Sequence, residues 1–224
     1  VGNAQISTSV YKYGTGSMYF DGTGDWLQAP ASQLTSFGSA SWTVEFWLYT
    51  AQTTEALLVA CRSSGGGATN TNWYIYKAAT TNQITLYVSD GSAWQVSGLT
   101  GGPSVSTSTW YHIAVCRNGS TFKIFINGTQ VASTTWSGTI GSTLRPLMIG
   151  SDYAGSTALN GYIDDLRITN GIARYDYNFT PPAAAFPNIG GTVTLTADPY
   201  YRYTTLLLPG NGTNGAQNNT FLDS

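Results

Sequence analysis

Residues 110–132 read WYHIAVCRNGSTFKIFINGTQVA, and this stretch determines the fold expected for the chain. Its two halves, around Ile113 and around Ile124, alternate apolar with polar or small side chains, which is the period-two pattern of β-strands. Asn118-Gly119 and Asn127-Gly128 follow the two halves, and Asn-Gly pairs accept the positive φ that a tight hairpin needs. The segment therefore predicts an antiparallel β-meander.

The rest of the chain continues this alternation of short strands and turns. Ser41–Thr50 carries aromatic side chains on both faces, which indicates a central strand covered on both sides. Turn signals recur every 8–12 residues or so, a spacing typical of a sandwich or jelly roll. Asn170–Phe179 can form one helical turn. The prediction is an all-β, two-sheet antiparallel jelly roll with more than about ten strands and no helix longer than about two turns. The residues expected in its core are Phe46, Ile113, Val115, Ile124, Ile149 and Ile163.

Composition excludes several classes of protein. The 224 residues suffice for one large all-β domain with a full core. Charged residues make up 9% of the chain and the formal net charge is −2, so the basic surface that a nucleic-acid partner requires is absent. No apolar run approaches the roughly 20 residues of a membrane span. Abundant Gly, Ser, Thr and Asn in place of charges are typical of extracellular, virion or cell-surface proteins.

The ends and the cysteines add two expectations. The chain begins at Val1 without a signal-peptide pattern, which indicates a processed piece or an excised module. Cys61 and Cys116 both lie in apolar strand patterns. One inter-strand disulfide and two buried free thiols are both compatible with that placement, and the spacing does not decide between them.

Six segments, in this order and spacing, resemble laminin-G-like domains of the concanavalin A-like jelly-roll class. They are KYGTGSMYFDGTGDWL (12–27), SWTVEFWLY (41–49), WYHIAV (110–115), FINGTQVA (125–132), LMIG (147–150) and LNGYIDDLRITNGIARY (159–175). The composition is most similar to the versions found in bacteriophage structural and tail proteins and in bacterial surface proteins. The resemblance implies a binding or spacer module.

The chain is out of phase with such modules, whose usual first strand precedes a Gly-Thr-Asn-Gly loop. Here that piece comes last, as TTLLLPGNGTNGAQNNTFLDS (204–224), so the chain resembles one unit of a repeat, cut within the repeat. We expect residues 1–182 to form a jelly roll that lacks its first strand, and residues 183–203 to form a linker with a short strand. The assembly strand, Thr205, Leu206, Leu207 and Leu208, would complete the sandwich of the same subunit or of the next.

Catalytic chemistry has few candidate residues. His112 is the sole histidine and lies in the middle of a strand, which favours a structural hydrogen-bonding role. Asp164 and Asp165 are adjacent in a strand, so their side chains point to opposite faces and do not form the carboxylate pair of a glycosidase. The chain is therefore not expected to be an enzyme.

A structural calcium ion is the candidate cofactor, since hard cations take carboxylate and carbonyl oxygens. The resemblance implies a site beside the last strand, where Asp164, Asp165 and Asp223 are the candidate ligands. Asp21 and Asp25, in a Gly-rich turn, form a second candidate cluster. Turn capping by backbone hydrogen bonds is the alternative role for these carboxylates.

Glycan binding requires exposed aromatic faces. Trp73, Trp94, Trp136 and Tyr153 lie in or near predicted loops and strand ends, and burial in the core is the alternative for each. Two functions follow. The first is a non-enzymatic structural and interaction module of an extracellular fibre, phage tail or virion, which assembles with copies of itself head to tail by strand donation. The second is a carbohydrate-binding, lectin-like module that recognises a surface glycan.

Overall fold

The computed structural model describes residues 1–153, 155–187, 198 and 200–211. Within these ranges the chain forms fourteen strands, and its longest helix, α1 (Gln33–Ser36), has four residues. The strands are β1 (Gln5–Ser7), β2 (Ser17–Asp21), β3 (Leu27–Ala29), β4 (Trp42–Thr50), β5 (Ala56–Arg62), β6 (Thr71–Lys77), β7 (Ile84–Ser89), β8 (Trp94–Thr100), β9 (Trp110–Asn118), β10 (Thr121–Ile126), β11 (Thr129–Thr135), β12 (Leu147–Ile149), β13 (Asn160–Asn170) and β14 (Thr204–Leu208).

The strands form two antiparallel sheets, and the predicted all-β jelly roll is confirmed. The eight-stranded sheet has the order β1-β2-β13-β4-β9-β10-β11, and β14 also pairs with β13. The six-stranded sheet has the order β3-β12-β5-β6-β7-β8. Apolar side chains from both sheets meet in one core, because alternate residues of each strand point to the same side. All six predicted core residues, from Phe46 to Ile163, are buried.

The predicted meander is confirmed, with one shift in its first turn. Asn118 pairs with Thr121, so Gly119-Ser120 is the first two-residue loop, one residue later than predicted. Asn127-Gly128 forms the second loop as predicted, and its φ angles of 49° and 77° are those of a primed hairpin turn.

The outer face of the eight-stranded sheet is covered by the segment that follows β13. The helical turn predicted at Asn170–Phe179 is wrong, because this segment is irregular and lies across the sheet. Tyr175 and Phe179 stack with ring centroids 3.6 Å apart, and both pack on Phe125. Phe186 is buried over Arg167, so this residue of the expected linker also contacts the sheet. The short strand expected near residue 193 lies outside the described residues.

His112 lies beneath this covering segment and is fully buried. Its ring contacts Trp47, Phe179 and Phe186 edge-on, and Nε2 is 3.4 Å from Oε2 of Glu45. Neither ring nitrogen meets hydrogen-bond geometry among the described residues, so His112 contributes aromatic packing and a close contact with the Glu45 carboxylate.

Residues Thr204–Leu208, which include the expected assembly strand, form β14, and β14 pairs with β13 of the same chain. Leu208 lies opposite Leu166 and Leu206 lies opposite Ile168, whereas β2 pairs with the other half of β13. Both strands run antiparallel to β13. Since Gly210 comes close to Ser17, β14 and β2 lie end to end along one side of β13.

The two cysteines are free and buried, so the free-thiol alternative is confirmed. Cys61 is on β5 and Cys116 is on β9, in different sheets. Burial raises the pKa of Cys61 to about 11 and that of Cys116 to about 12, because a buried thiolate is poorly solvated. Both side chains therefore act as small apolar residues of the interior.

Candidate functional site

Four aromatic rings form a continuous cluster on the outer face of the six-stranded sheet. This aromatic cluster consists of Tyr74 and Tyr76 on β6, Tyr87 on β7 and Trp94 on β8. Tyr74 and Tyr87 are cross-strand neighbours whose rings stack at 4.9 Å with an interplanar angle of 4°. Trp94 contacts these two rings edge-on, at 5.7 and 5.2 Å. All four residues are partly exposed, so the cluster presents ring surface to solvent.

Strand alternation explains why these rings face outward. Trp73 and Ile75 alternate with the tyrosines of β6 and point into the core, where both are fully buried. Burial, together with the neighbouring tyrosines, raises the pKa of Tyr74 far above its ordinary value, so this phenol keeps its proton. A protonated phenol on an apolar face can donate a hydrogen bond to a ligand that lies on the rings.

A cavity adjoins the aromatic cluster where β5 ends. Its volume is about 340 Å³, and it is lined by Arg62, Ser63, Ser64, Gly65, Gly66, Asp152 and Tyr153. We call it the Arg62 cavity. The Arg62 guanidinium lies 5.8 Å from the centre of the Tyr74 ring, so this side chain joins the cavity to the cluster. Tyr153, which is 42% exposed, adds an accessible ring to the cavity.

The structure brings two of the predicted glycan-binding residues into one region and separates the other two from it. Trp94 belongs to the aromatic cluster and Tyr153 lines the Arg62 cavity. The prediction that Trp73 is an exposed binding residue is wrong: its indole is fully buried, and Nε1 donates to the Thr35 carbonyl at 2.7 Å. Trp136 is partly exposed, but it follows β11 and packs against Phe122 instead.

Sequence reasoning missed Arg62, Tyr74, Tyr76 and Tyr87. The sequence of β6 did contain a signal for its tyrosines. Because successive side chains of a strand point to opposite faces, Tyr74 and Tyr76 must share the face opposite to Trp73. No comparable signal marked Arg62, because its role depends on the loop around residue 153 coming close in space.

A second row of aromatic residues crosses the eight-stranded sheet in register. It consists of Tyr19 on β2, Tyr162 on β13, Tyr49 on β4 and Trp110 on β9, with successive ring centroids 5.0, 5.6 and 5.4 Å apart. These rings are also partly exposed. The row and the aromatic cluster lie on different sheets, so substitutions in one serve as controls for the other.

Two of the predicted calcium ligands, Asp25 and Asp164, accept hydrogen bonds from backbone N–H groups. Asp25 accepts hydrogen bonds from the backbone N–H groups of Asn3 and Asp21 at 2.8 and 3.0 Å. Asp164 accepts from the N–H groups of Lys12 and Tyr13 at 2.8 and 3.0 Å. These contacts match the turn-capping alternative.

Calcium binding itself stays a prediction, because Asp223 lies outside the described residues. In the described part of the chain, no three His, Cys, Asp or Glu side chains come together as metal ligands. If calcium binds the folded protein, the melting temperature in millimolar calcium should exceed that in excess chelator. Equal melting temperatures would contradict the prediction.

The neighbouring carboxyls of β13 predict a pH-dependent stability. Burial raises the pKa of Asp164 to about 6, and burial together with the charge of Asp164 raises the pKa of Asp165 to about 7. A folded pKa above the unfolded value near 3.9 means that stability is greatest at acid pH and is lost as pH rises to about 7. Between pH 4 and pH 8 the wild type should therefore lose on the order of 4 kcal/mol more stability than Asp165→Asn.

Urea denaturation at several pH values measures this difference. Glu55→Gln, at an exposed carboxyl, should follow the wild-type profile. Parallel profiles for the wild type and Asp165→Asn would show that Asp165 does not gain a proton on folding.

The two packed antiparallel sheets define a β-sandwich of the concanavalin A-like jelly-roll class. A family model described as the concanavalin A-like lectin/glucanases superfamily, of the laminin G type, matches residues 10–174. The chain belongs to this superfamily. It matches none of the curated proteins. In the described residues, no helix is both long enough and apolar enough to cross a membrane.

Several solved structures share the fold at low sequence identity. Domain 4 of the extracellular arabinanase AbnA of Geobacillus stearothermophilus, solved in complex with arabinotriose, has a TM-score of 0.57 and 17% identity, covering 77% of this chain and 78% of that one. The binding domain of Paraclostridial Mosquitocidal Protein 1 has a TM-score of 0.59 and 14% identity, covering 78% and 44%. Domains LG4-5 of the mouse laminin α1 chain have a TM-score of 0.53 and 12% identity, covering 78% of this chain and 45% of that one. At these identities the similarity establishes the fold.

Proposed function

We propose that this chain is a non-catalytic carbohydrate-binding module that holds a glycan on the outer face of its six-stranded sheet. The observation that carries the proposal is the aromatic cluster beside the Arg62 cavity. Sugar rings have apolar C–H faces that pack on aromatic rings, and their hydroxyl groups need polar partners nearby. The cluster supplies the rings, and the cavity supplies hydroxyl, carboxylate and guanidinium groups.

The size and chemistry of the cavity favour binding over cleavage. About 340 Å³ is enough for one sugar unit, with the rest of a chain lying on the aromatic cluster. Glycoside hydrolysis uses two carboxyl groups that flank the scissile bond. Among the residues that line the cavity, Asp152 is the one carboxylate, and it accepts hydrogen bonds from the backbone N–H and the hydroxyl of Ser156.

The similar structures support this function, but they do not by themselves assign it to this chain. The arabinanase domain was solved with arabinotriose bound, which shows that a related jelly roll holds a sugar chain. One fold hosts many functions, so the proposal depends on the site found in this chain.

Trp94→Ala is expected to weaken glycan binding by at least about tenfold, because it removes the indole that completes the aromatic cluster. A glycan array identifies the ligand, and titration calorimetry measures its affinity for each variant. Trp110→Ala, at a partly exposed indole of the other sheet, is the matched control and should bind as the wild type does. Loss of binding in Trp110→Ala alone would place the site on the eight-stranded sheet.

Strand β14 favours a second candidate function, that of a structural module in a fibre, phage tail or virion. Among the described strands β14 pairs with β13 alone, and Leu207 and Leu208 on it are buried. The same leucines in a neighbouring copy could fill this position by strand donation, which would link subunits head to tail. Either function suits a protein that acts outside the cell, on a virion or at a cell surface. A rise in mass with concentration, measured by light scattering, would support the second.

A further inference from the structure

We propose that Arg62 makes the site selective for an acidic sugar that carries a carboxylate. This inference rests on the glycan-binding function proposed above and names the class of glycan. Arg62 is the cation in the lining of the Arg62 cavity, and no carboxylate of the described residues forms an ion pair with it.

The arginines of the chain differ sharply in their partners. Arg62 Nε is buried and has no hydrogen-bond partner among the described residues, and the guanidinium makes no ion pair there. The guanidinium lies over the Tyr74 ring, 5.8 Å from its centre. The other four buried or partly buried arginines all donate hydrogen bonds to carbonyl, hydroxyl, amide or carboxylate oxygens: Arg117, Arg145, Arg167 and Arg174.

A carboxylate is the ligand group that fits the unused donor of Arg62. The planar guanidinium presents paired N–H donors that match the two oxygens of a carboxylate. A buried donor without a partner is unfavourable, and a ligand that accepts from it removes that penalty. A neutral sugar offers hydroxyl groups to the same donors but no compensating charge.

The walls of the cavity position the guanidinium and limit the ligand charge. Gly66 has φ of +60°, and a Cβ at this position would lie 2.9 Å from Arg62 Nη2, so the loop passes close to the guanidinium. Asp152 lies in the same wall and repels additional negative groups. The cavity is therefore suited to one carboxylate per sugar unit, as in uronic or sialic acids, and less suited to a densely sulfated chain.

The test compares probes that differ only in charge. Trigalacturonic acid and 3′-sialyllactose are each paired with their own methyl ester, which keeps every sugar unit and removes the charge; heparin oligosaccharide serves as the sulfated probe. The full chain should bind at least one acidic probe about tenfold or more tightly than its neutral counterpart, as expected for gaining a charge-assisted hydrogen bond. Arg62→Gln should abolish that preference, and Arg62→Lys should retain part of it because it keeps the charge without the paired donors.

A second measurement does not depend on which glycan is native. In ¹⁵N-labelled protein, the Arg62 Nε–H resonance should shift on addition of sodium glucuronate and should not shift with methyl glucuronate. Trp94→Ala, as the comparison variant, should weaken acidic and neutral probes alike.

The outcomes separate this inference from the proposed function. Equal affinity for acidic and neutral partners, an acid preference that survives in Arg62→Gln, or tightest binding of heparin would overturn the role of Arg62 while leaving glycan binding in place. Failure of the wild type to bind any sugar on an array of acidic and neutral glycans would overturn both.

Discussion

Replacement of Glu45 by alanine is expected to lower the free energy of unfolding by about 3–5 kcal/mol, the range found when one partner of a buried ion pair is removed. Glu45 lies on β4 and is fully buried under the covering segment. Its Oε1 accepts from Arg167 Nε at 2.9 Å and lies 2.8 Å from Nη2 of the same guanidinium. Its Oε2 accepts from the Tyr175 hydroxyl at 2.7 Å.

The loss is large because Glu45 compensates a buried cation. Without Glu45, Arg167 would keep one carboxylate, that of Asp198 at 2.9 Å, which also binds Arg174. Burial alone would raise the pKa of Glu45, but the charge of Arg167 holds that pKa at about 2. A folded pKa below the unfolded value near 4.3 means that the stability from Glu45 is present at neutral pH and is lost as pH falls toward 2.

Chemical denaturation at pH 7 measures the effect. Glu45→Gln keeps the shape and one acceptor but not the charge, so its loss should be intermediate. The matched control is Asp176→Asn, which breaks the ion pair with Lys123 at 2.6 Å on the surface. Because Asp176 is partly exposed, this control should change stability by less than about 1 kcal/mol. A Glu45→Ala variant as stable as Asp176→Asn would contradict the ion-pair argument.

The strands and the core were predictable because a strand of a β-sandwich alternates apolar side chains, which face the core, with polar side chains, which face solvent. Phe46, Ile113 and Ile163 lie on three different strands, and each belongs to a run in which apolar residues recur at every second position. That pattern was enough to predict that their side chains are buried. Alternation does not say which face is the core where both faces are aromatic. On β6 the sequence Trp73-Tyr74-Ile75-Tyr76 allowed either face, and the stack of Trp73 on Phe37 decides it.

The parts of the site that escaped prediction depend on segments distant in sequence. The Arg62 cavity combines the loop after β5 with Asp152 and Tyr153, which lie about ninety residues later. The covering segment after β13 has no periodic pattern, since each of its aromatic rings fills a different gap on the sheet. Contacts of this kind follow from tertiary packing and have no local signature.

Deletion of residues 204–224 is expected to lower stability by about 3 kcal/mol or more, because burial of each leucine contributes about 1.5–3 kcal/mol. The deletion removes β14 with its buried residues Leu207 and Leu208. It also leaves the half of β13 around Leu166 without a partner on that side, next to the open core. An unpaired edge beside apolar side chains favours association with other chains.

Truncation after residue 211 is the matched control for this deletion, since it keeps β14 and every pairing it makes with β13. The deletion of residues 204–224 should unfold at a lower denaturant concentration than this control, because the two differ by β14 and the three residues after it. If the full deletion is equally stable, the leucines of β14 contribute little and neither closure of the sandwich nor strand donation holds.

Mixing the two forms distinguishes closure from donation. In the deleted chain the position beside β13 is empty, so an intact chain that donates β14 should form a mixed complex with it, and light scattering should show a mass above either monomer. An intact chain that uses β14 for its own sandwich has no strand to give, and the mixture should show two separate monomers.

The balance between closure and donation depends on concentration. Donation requires β14 to leave its own β13, and the same pairs, such as Leu208 with Leu166, then form between chains. Because the strand pairing is identical in the closed and the donated form, its free energy cancels between them. Protein concentration and the strain of the connection from β13 to β14 then decide which form is populated. Mass measured over a hundredfold range of concentration therefore tests the fibre function directly, and a constant monomer mass would exclude it over that range.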